Sequence, residues 1–64
     1  MTSADFLYGF ISEPGLTPLQ RMEVHLALVA LYIRGGADRL AGYHAAKAAH
    51  YARLVFALEE QGVD

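Results

Sequence analysis

The sequence contains no cysteine and no tryptophan, and only two of its 64 residues are proline. Without cysteine, neither a disulfide bond nor a thiolate metal site can stabilise the chain. A chain of this length has room for one domain, and one core of this size rarely supplies more than about 3–5 kcal/mol. We therefore expect a single small domain, residues 1–64, that is held together by side-chain packing alone.

Charged residues are also sparse. The chain carries 5 Lys and Arg residues and 7 Asp and Glu residues, for a net charge of −2 at pH 7. This balance supplies no positive field to attract a phosphate backbone and disfavours nucleic acid as a partner. One alternative stays open, in which Arg39, His50 and Arg53 share a helix face and form the nucleic-acid contact of a dimer.

No long hydrophobic run is present. The longest stretch without a charged residue runs from Val24 to Ile33 and includes His25. It is far shorter than the roughly 20 apolar residues that cross a bilayer. The first residues, MTSADFLYGFIS, lack the basic region and the apolar core of a signal peptide. We therefore expect a cytoplasmic protein that does not contact membranes.

The chain is instead rich in apolar residues. Hydrophobic residues make up 55% of the sequence, and the mean hydropathy is +0.24. A three-helix monomer of this length cannot cover that much apolar surface, and a large exposed apolar patch usually marks an interface. We therefore expect a homo-oligomer, most simply a dimer.

Two breaks divide the chain into three predicted helices, at about residues 3–12, 18–34 and 37–61. The second helix has the clearest start, because Thr17 can cap it, Pro18 fits its first position and Gln20 completes a capping box. Thr2 and Asp5 would form a weaker capping box on the first helix.

The second break, Gly35-Gly36, predicts a tight turn. Two helices joined by so short a connection form an antiparallel hairpin. The predicted fold class is therefore all-α, with a helical hairpin and a short N-terminal helix that pair into a dimeric helical bundle.

The second helix is apolar on nearly every side, which is typical of a helix that packs against more than one neighbour. One stripe consists of Leu19, Met22, Leu26, Val29 and Ile33, and a second set of Val24, Leu28, Leu31 and Tyr32. The surface that we predict for a second copy takes members of both: Leu19, Met22, Val24, Leu28, Leu31 and Tyr32. On this prediction, Leu28→Asp splits the dimer or unfolds the protein.

The third helix contains the segment YHAAKAAHYA, residues 43–52. Helical spacing gathers its alanines into a ridge that we expect to contact the second helix: Ala37, Ala41, Ala45, Ala48 and Ala52. Beside this ridge lie His44, Lys47 and Tyr51. These three side chains either pack at the helix contact and set its register, or bind a small anion or an acidic group of a partner.

Catalytic and metal-binding patterns are missing from the sequence. His44 and His50 are too far apart in the helical repeat to share a metal, and no nucleophile elbow or phosphate-binding glycine loop occurs. We therefore expect no enzyme activity, no metal and no cofactor.

Two functions remain from this reading. The first is a small non-catalytic helical interaction protein, a regulator, adaptor or inhibitor that binds a larger protein. The alternative is an oligomer that binds or sequesters a small anion or nucleotide through His44, Lys47 and Tyr51.

Overall fold

The computed structural model describes residues 3–62, which form three helices: α1 (Ser3–Ile11), α2 (Pro18–Arg34) and α3 (Asp38–Gln61). No strand occurs within residues 3–62. The all-helical class is thus confirmed, and each helix begins and ends within one residue of the predicted position. The capping box that we predicted on Thr2 lies outside the described residues.

A capping box starts α2, as predicted. The Thr17 hydroxyl oxygen accepts a hydrogen bond from the Gln20 backbone N–H at 3.2 Å. In return, the Gln20 side-chain oxygen accepts one from the Thr17 backbone N–H at 2.9 Å. These two bonds satisfy two amides that the helix itself cannot pair, and they fix where α2 begins.

A left-handed glycine ends α2. Gly36 has a φ of 78°, and the following Ala37 N–H donates to the Tyr32 carbonyl at 2.8 Å. Together with the bond from the Gly36 N–H to the Ile33 carbonyl at 3.1 Å, this geometry is a Schellman motif. The chain reverses here, so α3 returns alongside α2 as the predicted hairpin.

The contact between α2 and α3 contains every buried residue within residues 3–62. They are His25 and Leu28 from α2, and Ala41, His44 and Ala48 from α3. The alanine ridge is therefore only partly correct as a prediction. Ala45 and Ala52 are exposed, because α3 is rotated so that His44, rather than these two alanines, enters the contact.

Helix α1 packs on one side of α2 and leaves an open groove of about 280 Å³ lined by residues that include Leu7, Val24 and Ala27. Arg21 of α2 binds the C-terminal end of α1 and the residues that follow it. The Arg21 guanidinium donates to the backbone carbonyls of Ile11 and Glu13, each at 3.1 Å. A cation at a helix C-terminus also interacts favourably with the negative end of the helix dipole.

The resulting molecule is a thin slab, with Cα extents of 44 × 22 × 12 Å. Within it, α2 and α3 lie side by side, at the axis separation of about 8–10 Å that is usual for packed helices. Of the helices within residues 3–62, none has the length and apolar character needed to cross a membrane.

Candidate functional site

Two histidines from different helices meet inside the hairpin. The Nδ1 atoms of His25 and His44 are 2.8 Å apart, and their stacked rings have centroids 5.0 Å apart. His25 is 6% exposed and His44 is 1% exposed. The two imidazoles therefore form a buried hydrogen bond that joins α2 to α3.

A tyrosine from α1 extends this hydrogen bond into a chain. The Tyr8 hydroxyl lies 2.8 Å from Nε2 of His44. The Tyr32 hydroxyl donates to the Tyr8 oxygen at 3.3 Å. The chain of hydrogen bonds thus connects all three helices, with Tyr8 from α1, Tyr32 and His25 from α2, and His44 from α3.

All four tyrosines of the sequence contact this histidine pair. The rings of Tyr8, Tyr32 and Tyr43 surround His44, with centroid distances of 5.6, 5.6 and 5.0 Å. Tyr51 stacks on His25 at 5.6 Å and 11°. We call these six residues the His–Tyr cluster: Tyr8, His25, Tyr32, Tyr43, His44 and Tyr51.

One set of tautomers satisfies every hydrogen bond in the cluster. In this set, Tyr8 accepts from Tyr32 and donates its own proton to the unprotonated Nε2 of His44. A neutral His44 carries its proton on Nδ1 and donates it to Nδ1 of His25. His25 in turn carries its proton on Nε2, so every bond in the chain points the same way.

Both histidines favour their neutral form. Burial lowers the pKa of His44. Burial also lowers the pKa of His25, and the charges of His44, Lys47 and Arg21 lower it further. The geometry agrees, since two imidazolium rings would place one Nδ1–H against the other and break the bond between the helices.

The Tyr8 phenol stays protonated well beyond neutral pH. Its hydrogen bond with Tyr32, its desolvation and the nearby phenols of Tyr32 and Tyr43 raise the pKa of Tyr8 to about 12. A neutral phenol is the form that the hydrogen-bond chain requires.

Four members of the cluster are hydrogen-bonded to one another: Tyr8, His25, Tyr32 and His44. Both ring nitrogens of His44 have partners, and no buried side-chain nitrogen or oxygen among residues 3–62 lacks one. Within the same range, no three histidine or acidic side chains converge as metal ligands do. The arrangement joins three helices through hydrogen bonds between phenols and imidazoles.

The three residues that we predicted as a ligand site occupy different surroundings. His44 is buried, Tyr51 is half-buried against His25, and Lys47 is exposed. The Lys47 ammonium lies 5.6 Å from the Tyr43 ring centroid, which is within cation–π range. His44 therefore does not reach the surface on which Lys47 lies.

The residues that we predicted to contact a second copy are also dispersed. Leu19 is 45% exposed, whereas Met22, Val24, Leu31 and Tyr32 are half-buried within the chain. Leu28 is 0% exposed, so placing it on a surface for a second copy was wrong. It is enclosed by the packing of the single chain, and Leu28→Asp would disrupt that packing directly.

His25, Tyr8 and Tyr32 were not predicted from the sequence as partners of His44. One signal was available for His25. It precedes Gly35 by ten residues and His44 follows Gly36 by eight, and residues at similar distances from a tight hairpin turn lie opposite each other.

Comparison with protein-family models, with curated proteins and with solved structures finds no match to this chain.

Proposed function

We propose that this chain is a small non-catalytic interaction protein that self-associates through apolar helix faces and acts by binding a larger protein as a regulator, adaptor or inhibitor. The observation that carries the proposal is the distribution of apolar side chains. Only Leu28, Ala41 and Ala48 are buried apolar residues in the described part of the chain. Large apolar side chains are exposed on all three helices: Phe6, Tyr8, Phe10, Leu19, Leu26, Ile33, Leu40, Tyr43, Leu54, Phe56 and Leu58.

The accessible surface area supports the same proposal. A folded monomer of 7.0 kDa normally exposes about 4,000 Å². This chain exposes 4717 Å². The excess, about 700 Å², is close to the roughly 800 Å² that each partner buries in a protein–protein interface of standard size.

The chemistry of the His–Tyr cluster supports a binding role over catalysis. Its hydrogen bonds are satisfied within the chain and His44 has no open approach. A cluster of this kind keeps three helices in register, which gives an interaction surface a fixed shape.

Native mass spectrometry of gently purified protein tests the proposal, because one spectrum reports the number of subunits and any retained small molecule. We expect a dimer without added mass. Monomers at every concentration would exclude self-association, and a fixed extra mass on each subunit would favour the anion-binding alternative instead.

That alternative requires His44, Lys47 and Tyr51 to meet a ligand together. The enclosure of His44 does not favour it. Its own test is Lys47→Ala, which should abolish binding of an anion without lowering thermal stability if Lys47 holds the ligand.

The interaction proposal also predicts a second, heterologous contact. Phe6 and Phe10 of α1 lie 57% and 42% exposed, and their rings touch edge to face at 5.1 Å. Exposed aromatic pairs of this kind commonly anchor protein partners. Affinity capture with wild-type protein should retain a larger protein that a Phe6→Ser/Phe10→Ser variant does not retain. If both proteins capture the same partners, α1 is not the anchor.

A further inference from the structure

We propose that a second copy of this chain covers the side of the hairpin opposite α1, with α2 of each copy packing against the exposed alanines of α3 in the other. This inference rests on the proposed self-association and names the surface that performs it. We call this surface the hairpin face and define it by six exposed residues: Leu19, Leu26, Ile33, Ala45, Ala52 and Phe56.

On α2, the hairpin face lies on the flank that α1 leaves open. Val24 and Ala27 line the groove against α1 and mark one side of the helix. Leu19, Leu26 and Ile33 recur every seven residues on the other side, where they are 45%, 51% and 61% exposed. A stripe with this period stays on one face over the whole length of a helix.

On α3, the same side of the hairpin carries two small residues and, nearer the C-terminal end, one large aromatic residue. Tyr43 marks the α1 side, because its ring and that of Tyr8 of α1 both pack against His44 and its phenol contributes to the raised pKa of Tyr8. At about 100° per residue, Ala45, Ala52 and Phe56 fall on the opposite flank of the buried residues. Ala45 and Ala52 are exposed, and Phe56 is 63% exposed.

The hairpin face is complementary to itself. Large side chains project from α2, whereas the alanines of α3 leave a shallow surface beside them. A two-fold axis that lies in the interface between the two copies would place α2 of each copy over α3 of the other. Leu26 of each copy would then lie over the alanines of its partner. Such an interface uses the same patch on both copies, which is the commonest arrangement in homodimers.

The arrangement of the two long helices also favours a second copy. The hairpin consists of α2 and α3 side by side, and stable helical domains enclose their apolar residues between at least two layers. Two hairpins packed face to face provide four long helices around a shared core. In this arrangement α1 would remain on the outside, because it packs on the other side of α2.

Sedimentation velocity on matched variants tests this surface. Leu26→Glu and Ala52→Glu place a carboxylate on the hairpin face, and Leu54→Glu places one on the other flank of α3. Leu26 and Leu54 are 51% and 41% exposed, so neither substitution disturbs the core of the single chain. We expect both hairpin-face variants to raise the dimer Kd by at least about a hundredfold, because each dimer would bury two unpaired carboxylates.

Leu54→Glu should leave the dimer Kd within about threefold of wild type, and circular dichroism confirms that each variant is folded. A dimer that survives Leu26→Glu and Ala52→Glu but dissociates with Leu54→Glu would overturn the hairpin face while leaving self-association intact. A wild-type protein that stays monomeric would overturn both. Leu26→Met provides a further control and should dimerise like wild type.

Discussion

At the scale of single residues, the contact between His25 and His44 explains how polar side chains come to occupy the centre of so small a core. A buried imidazole is costly unless its nitrogens are hydrogen-bonded. Each histidine here satisfies the other, and Tyr8 satisfies the remaining nitrogen of His44. The bond between the two rings is lost when both are protonated, and burial disfavours the charged form of each, which makes the contact sensitive to pH.

The first prediction concerns this sensitivity. The pKa of each buried histidine is lowered from its ordinary value of 6.5, so the unfolded chain takes up protons first as the pH falls. The stabilisation is fully present above about pH 6.5 and is lost below it. With two protons involved, the free energy of unfolding should fall by up to about 2.7 kcal/mol per pH unit.

The neighbouring groups act in the same direction. Arg21 from α2 and Lys47 from α3 are cationic and oppose protonation of His25. The other groups that face the pair are phenols: Tyr8 from α1, Tyr32 from α2, and Tyr43 and Tyr51 from α3. Urea unfolding across a pH series measures how steeply the free energy of unfolding changes with pH. A His25→Gln/His44→Gln variant should flatten it, and an unchanged slope would show that other groups cause it.

The second prediction concerns the turn between α2 and α3. Gly36 has a φ of 78°. This left-handed backbone conformation costs a residue with a side chain about 1 kcal/mol of folding free energy. Gly36→Ala should therefore destabilise the protein by about that amount. Gly35 has a φ of −85°, and a Cβ there would meet the Leu31 carbonyl at an ordinary 3.6 Å. Gly35→Ala is the matched control and should be neutral or slightly stabilising in thermal unfolding; equal losses for both variants would contradict this account.

At the scale of helices, α1 differs from α2 and α3 in how it is held. None of its residues is fully buried. Polar bonds to the rest of the chain include those of the Tyr8 hydroxyl with His44 and Tyr32 and the bond from Arg21 to the Ile11 carbonyl. An element with little buried apolar surface opens at low free energy, so α1 should be the most mobile helix on the timescale of hydrogen exchange.

The third prediction follows from this. Arg21→Ala removes two charge-assisted hydrogen bonds at the C-terminal end of α1 and should cost about 1–2 kcal/mol, discounted for partial exposure. Hydrogen exchange of residues 3–11 should accelerate severalfold, with smaller changes in α3. Arg39→Ala is the control, because Arg39 is exposed on α3. Equal protection of α1 in wild type and Arg21→Ala would show that apolar packing holds this helix.

Helix positions could be predicted from the sequence because their signals are local. Thr17, Pro18 and Gln20 determine the start of α2 through contacts within one turn, and Gly36 ends it through its backbone conformation alone. Neither effect depends on the rest of the fold.

The rotation of α3 could not be predicted in the same way. Ala45 and His44 are neighbours on the helix, and hydropathy favours burying the alanine. The structure buries the histidine because His25 and Tyr8 supply its hydrogen bonds, and both are distant in sequence. Reasoning from one helix at a time misses such pairing, which is why the His–Tyr cluster was only partly anticipated through His44 and Tyr51.

At the scale of the whole molecule, stability and association should be coupled. Three buried apolar residues in the described chain form a small core, and a single core of this size supplies only about 3–5 kcal/mol. When two copies cover each other's hairpin face, apolar side chains that are exposed in the single chain become buried, and their burial stabilises the dimer.

The fourth prediction is therefore a melting temperature that rises with protein concentration, since a dimer that unfolds to separate chains gains stability by mass action. Thermal unfolding followed by circular dichroism over a hundredfold concentration range measures it, and a rise of several degrees is expected. Leu26→Glu should remove the concentration dependence. A wild-type melting temperature that is constant over this range would contradict the coupling.

The aromatic composition gives the molecule an optical property of its own. Because the chain lacks tryptophan, its near-ultraviolet absorption and emission come chiefly from four tyrosines. Each of the four contacts one of the two buried imidazoles. Light emitted by the unmodified protein thus originates next to the junction of its three helices, and a change in the charge or spacing of that junction can be followed by fluorescence without attaching a dye.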